Sequence, residues 1–117
     1  MNKVNFDKAL GAKILESFKE GKNDILRGLE QLEKNYRNKE FLDLKARENI
    51  LEAGYVLETA VYRSILYAAD SKETMQTELQ KLNSITNKLA METNHEFLKA
   101  FNLKVCALIS LFIIHEM

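Results

Sequence analysis

A chain of 117 residues with 46% hydrophobic and 29% charged side chains has the composition of a folded globule, and it can bury roughly two thirds of the surface its unfolded form exposes. Its 17 basic and 17 acidic side chains cancel, which excludes a long-range field of either sign and leaves any electrostatic patch to be local. The single cysteine, Cys106, excludes an intramolecular disulfide, and a core of this size needs neither disulfide nor metal to hold it.

There is no proline and there are four glycines, Gly11, Gly21, Gly28 and Gly54, so long helices meet few interruptions. Nothing alternates like a strand for more than a few residues. The expected fold is all-α: a single compact antiparallel bundle of four long helices that uses residues 1–117 as one domain, with no repeat, linker or low-complexity tract.

The first helix is expected to start near Asn5, a good N-cap, and to bury Phe6, Leu10, Ile14 and Phe18. Beyond it lies an ambiguity. The stripe Leu15, Phe18, Lys22, Ile25, Leu29, Leu32, Tyr36 keeps one heptad phase straight through Gly21, as one continuous helix does, with Lys22 its only charged member. Against this, Gly21 suits a helix stop and Asn23 a new N-cap, so the expectation is a first helix split in two, five helices in all, with one kinked helix as the alternative.

Residues 36–40, YRNKE, are expected to carry the next connection. The following helix, expected over about 42–69, turns Leu42, Ala46, Ile50, Ala53, Leu57, Ala60, Val61, Ser64, Ile65 and Ala68 inward, and its small residues permit close helix approach. Asp70 and Glu73 read as a capping box, and Thr93 with Glu96 as a second. Between them lies a helix of about 20 residues. Its stripe is Met75, Leu79, Leu82, Ile85 and Leu89, and its wet face Gln76, Gln80, Asn83, Asn87 and Lys88.

The last helix, expected over 97–114, carries the most apolar surface, with ten uncharged residues at 105–114. Spanning a bilayer needs about 20 predominantly apolar residues, and Lys99, Asn102 and Lys104 interrupt any extension backward, so no membrane span is expected. Leu108, Leu111, Phe112 and Ile114 occupy more than half the circumference of that helix and cannot all face one side. A second chain is therefore expected to bury part of it. Tyr55 and Tyr62 lie one heptad apart and share a side of their helix, where they either finish a core or form a patch for a partner. Tyr55, Tyr62, Leu108, Leu111, Phe112 and Ile114 are the candidate interface of a homodimer or partner complex.

No motif fixes a reaction or a ligand. Glu92 and His95 have the spacing of a bundle-core metal pair, but such a site needs a second pair, and the residue three before His115 is Phe112, so no metal or other cofactor is expected. A ribonuclease-like convergence of arginine and histidine on one helix needs the two about a turn apart, and none of Arg27, Arg37, Arg47 or Arg63 has such a partner. Cys106, among Val105, Ala107 and Leu108, reads as a small core side chain. The one basic concentration is Lys34, Arg37, Lys39, Lys45 and Arg47, interleaved with Glu33, Glu40, Asp43 and Glu48 at salt-bridging spacings, as a solvated face is.

The expected function is a non-catalytic protein-interaction module, a small regulator, chaperone, immunity protein or inhibitor that binds a protein through a helix face. The alternatives are a nucleic-acid-binding regulator using residues 34–47, and an enzyme or cofactor carrier with a site between subunits. The amino terminus, MNKVNFDKAL, lacks the apolar run of a secretory signal, so a cytoplasmic protein is expected. Richness in lysine and asparagine suggests an A/T-rich bacterial or phage source.

Overall fold

The stretch around Gly21 is uninterrupted helix. The computed structural model describes residues 3–37, 44–67 and 71–116, and the side chains of 9–36, 44–67 and 71–114. Every element among them is a helix: α1 (Lys3–Arg37), α2 (Leu44–Leu66), α3 (Lys72–Thr93) and α4 (Glu96–Glu116). The first helix is thus not split.

Two observations explain why the heptad phase prevails over the stop signal. Gly21 has no positive φ and is buried against α2, where an added Cβ would lie 3.1 Å from Val56 Cγ1 and 3.2 Å from the Ala53 carbonyl oxygen. It is a close-approach residue, not a terminator. Lys22 keeps its place in the stripe because its amino group meets the Glu78 carboxylate of α3 at 2.8 Å. A carboxylate within hydrogen-bonding reach offsets much of what partial burial of a charge costs.

At 35 residues α1 is about 52 Å long, and it sets the longest dimension of a body whose Cα extents are 58 × 26 × 16 Å. The radius of gyration, 15.5 Å, exceeds the roughly 13 Å of a rounder domain of this length. The thinnest dimension suits two layers of helices. α1 packs chiefly on α2 and α3 on α4, while α2 also touches α4 and α1 touches α3.

One core joins all four helices. α1 contributes Ile14, Phe18, Ile25, Leu29 and Leu32, and α2 contributes Ala46, Ile50, Ala53, Leu57, Ala60, Val61 and Ser64, which is the expected inward set apart from half-buried Ile65. Leu42, Ala68, Asp70 of the expected capping box and the Phe6 side chain lie outside the described residues. Ser71 stands at the α3 N-cap position without a side-chain capping bond.

In α3 the expected stripe drifts by one residue. Thr86 is buried and Ile85 is exposed, because the steps 75, 79, 82, 86, 89 hold a straight helical row that Ile85 leaves. Thr86 donates its hydroxyl to Asn102 Oδ1 of α4 at 2.6 Å, which satisfies it in the core. Asn83 also leaves the expected wet face and accepts the Cys106 thiol at 3.2 Å, so Cys106 is half-buried on a polar seam between α3 and α4.

Candidate functional site

α4 divides its apolar side chains between two faces. Leu98, Phe101, Val105, Leu108 and Phe112 form the buried stripe, while Leu103 and Ile114 stand 70% and 62% exposed on the opposite side, with Leu111 intermediate. Of the candidate interface residues on this helix, Leu108 and Phe112 therefore belong to the chain's own core, and Ile114 faces outward. The structure also revises the length argument. α4 is continuous through Lys99, Asn102 and Lys104, and Glu96–Ile114 is long and apolar enough, by length and composition alone, to cross a membrane, with mean hydropathy 2.0 and 28% buried.

On α2, Leu51, Tyr55, Tyr62 and Leu66 recur at steps of four, seven and four and so share one face. All are exposed, Tyr55 by 61%, Tyr62 by 51% and Leu66 by 74%. This face borders α4. Gly54 packs on the Phe101 ring, Lys104 reaches the Glu58 carboxylate at 3.4 Å, and the same amino group stands 4.4 Å from the centroid of Tyr55. A cation over the ring face holds Tyr55 against the seam. The outer faces of α2 and α4 thus each carry exposed apolar side chains, and the Lys104–Glu58 pair lies where the two helices meet.

The second cluster is the junction of α3 and α4. α3 runs to Thr93, whose hydroxyl donates back to the Leu89 carbonyl at 2.8 Å, and Asn94 closes it in the left-handed region at φ 53°. Thr93 is therefore not the N-cap of α4. That position falls to His95, whose Nδ1 accepts the Phe97 amide at 3.2 Å, and Glu92 and His95 stand on different elements. Among the described residues no three His, Cys, Asp or Glu side chains are grouped to hold a metal, and the side chain of His115 is outside them.

Arg47 reaches this junction from α2. One guanidinium nitrogen lies 3.1 Å from His95 Nε2, and the guanidinium carbon sits 5.6 Å from the centre of the Phe97 ring. Arg47 and His95 are 48 residues apart, so no local spacing rule could find them. The only signal is that position 47 falls on the side of α2 that carries Gly54 and Glu58 toward α4. The basic segment is accordingly broken up. Lys34 and Lys45 are exposed, Arg47 is turned inward, and Lys39 and the Arg37 side chain lie outside the described residues.

Comparison adds no relative. No family model matches the chain, and neither a curated protein nor a solved structure matches it. The reading of function therefore rests on these two surfaces.

Burial first, and the Arg47 charge second, hold the His95 imidazole below its ordinary value, against the pull of Glu96. The unfolded chain takes up this proton near pH 6.5, the ordinary histidine value, so the stability due to neutral His95 is complete above about that pH. It is lost as pH falls toward the lower folded value. Urea midpoints are expected to fall between about pH 7.5 and 5.5, and His95→Gln to flatten that slope. Equal slopes in both proteins would show that the ring titrates freely.

Proposed function

We propose that the protein is a non-catalytic interaction module, a small regulator, chaperone, immunity protein or inhibitor, that binds protein through the outer face of α2 and α4 and pairs with a second copy of itself there. The observation that carries this reading is the set of exposed apolar side chains Leu51, Tyr55, Tyr62 and Leu66 on α2 and Leu103 and Ile114 on α4. Covering these six would remove roughly 700 Å² from water, close to the ~800 Å² that each partner gives to a standard interface. Tyrosine at the centre with a charged pair beside it suits an interface core, since tyrosine couples large contact area to low conformational entropy.

The bundle that presents this face is read as antiparallel. In support, Gly21 meets Val56 and Leu57 while Gly28 meets Ile50 and Ala46, so contacts run in opposite orders along α1 and α2. Asn83 with Cys106 and Thr86 with Asn102 do the same along α3 and α4.

The non-catalytic reading rests on the surroundings of the histidine: among the described residues the His95 ring contacts Arg47, the Phe97 amide and the Phe97 ring, and no nucleophile. A nucleic-acid role for residues 34–47 is not favoured, because Arg47 is withdrawn from that surface. The proposal places the protein in the cytoplasm, which suits the free thiol of Cys106, and outside the membrane, because the buried stripe of α4 is already engaged in the core.

The test is sedimentation at micromolar concentration. The wild type is expected to sediment as a dimer, and Leu103→Asp and Tyr62→Asp as monomers with undiminished helical circular dichroism. A monodisperse wild-type monomer, or variants that remain dimeric, would remove α2 and α4 as the pairing face.

A further inference from the structure

We infer that the groove between the amino-terminal half of α1 and the carboxy-terminal half of α2 binds a medium-chain fatty acid, a carboxylate with an alkyl tail. The site does not depend on pairing through α2 and α4. The groove has a volume of about 460 Å³, within the range of small-molecule sites, and Leu10, Ile14, Val56 and Ala60 give it an apolar lining. Lys13, Ser17, Thr59 and Arg63 supply its polar groups, and Tyr55 closes one end.

Those polar groups stand in two rungs. The order of contacts that sets Gly28 on Ile50 and Gly21 on Val56 continues backward along α1, so Ser17 stands across from Thr59 and, one turn earlier, Lys13 across from Arg63. Both charges are positive, and among the described residues no acid lines this groove and neither cation is in an ion pair. Elsewhere the signs are mixed: Asp24 and Glu52 accompany Arg27 and Lys45 in the next groove along α1 and α2, and Glu30 and Glu92 accompany Lys88 between α1 and α3. The hydroxyls are available too. A serine or threonine inside a helix can donate to the carbonyl one turn back, as Thr77, Ser84, Thr93 and Ser110 do here, but among the described residues Ser17 and Thr59 make no such bond.

Two cations facing one another repel, and an anion between them turns that repulsion into attraction. An ionised carboxylate accepts at about four positions, which the fork of Arg63, the Lys13 amino group and one hydroxyl of the next rung fill. The tail then runs over Ala60 and Val56 toward the Tyr55 ring. From Arg63 to Tyr55 the groove follows α2 for about 12 Å, so it holds an alkyl chain of medium length and leaves the end of a longer one in water. The cations at one end and the apolar lining beyond them match the two halves of such a molecule.

The test is a titration of the full chain with butyrate, octanoate, decanoate and decyltrimethylammonium, each below its micelle concentration, followed through the ¹H–¹⁵N signals of Ile14, Ser17, Val56 and Ala60. Saturable shifts are expected with decanoate, and the affinity is expected to rise from butyrate upward by roughly two- to fourfold per methylene. Decyltrimethylammonium carries the same tail on the opposite charge and is expected to bind about tenfold more weakly or worse. Lys13 and Arg63 are exposed, so the double variant Lys13→Glu, Arg63→Glu keeps the core intact, and it is expected to reverse that preference. Arg63→Lys, which keeps the charge but not the fork, is expected to weaken decanoate several-fold, and circular dichroism shows that the variants are folded. The inference is overturned by the absence of saturable shifts with decanoate, by an affinity indifferent to chain length or to the sign of the head group, or by a folded double variant whose preference is unchanged.

Discussion

Phe112→Asp is expected to unfold the chain, while Leu103→Asp, nine residues earlier on the same helix, leaves it folded. Phe112 is 1% exposed and belongs to the core shared by all four helices, so its replacement loses the ring and buries a carboxylate in an apolar cluster. Truncating a buried phenylalanine costs about 3–5 kcal/mol, and a charge buried without a partner adds to that. A domain of this length has a total stability of roughly 6–18 kcal/mol, so the sum takes away much or all of it. The milder Phe112→Ala is expected to remain folded with its thermal midpoint lowered by about 12 °C or more. Circular dichroism melts of the three variants decide the matter. If Phe112→Asp melts at the wild-type temperature, the ring is not in the core, and the division of α4 into a buried and an outer face is wrong.

The same division separates what the sequence discloses from what it hides. Ala46, Ile50, Ala53, Leu57, Ala60, Val61 and Ser64 were legible because a helix period and a run of small and apolar residues agree. Ile85 is more apolar than Thr86, yet the helical period belongs to Thr86, and the partner that makes a buried threonine acceptable is Asn102, on another helix. Gly21 misled for a related reason. A glycine has the same local signature whether it ends a helix or lets a neighbouring helix close in, and Val56 and Ala53, which decide between these, are more than thirty positions away. At the start of α4 the sequence offers Thr93 as the cap, but Asn94 turns the chain after α3 and the position passes to His95. Arg47 against His95 is the extreme case, since only the packing of α2 beside α4 brings them together. Most of the fold was therefore readable from period and composition. Which of the apolar residues of α4 turn inward was not readable, because Leu108, Phe112 and Ile114 are equally apolar and differ only in the direction they face.

Gly28 gives the second large effect, and one whose sign runs against helix propensity. Its backbone has no positive φ, so a side chain meets no conformational strain and Gly28→Ala gains about 1 kcal/mol of propensity. Space is the obstacle. An added Cβ would lie 2.5 Å from Ile50 Cγ1, 3.0 Å from its Cδ1 and 3.4 Å from the Ala46 carbonyl oxygen. Ile50 is fully buried, and its β-branched side chain has little rotameric freedom with which to move aside. Overpacking of this kind costs about 1–3 kcal/mol, so Gly28→Ala is expected to be destabilising on balance and Gly28→Val, with two further methyl groups, to lose about 3 kcal/mol. Gly54→Ala is the contrasting case, because the nearest atoms to its added Cβ are Phe101 Cε1 at 3.3 Å and Cζ at 3.9 Å, and it is expected to be neutral or slightly stabilising. Denaturant midpoints measure all three. A further variant isolates the cause: in an Ile50→Ala background the obstructing carbon is gone, and Gly28→Ala should change from destabilising to stabilising, a non-additivity of the size seen between residues in contact. If Gly28→Ala already stabilises the protein with Ile50 intact, then α1 and α2 are not held at the close approach described here.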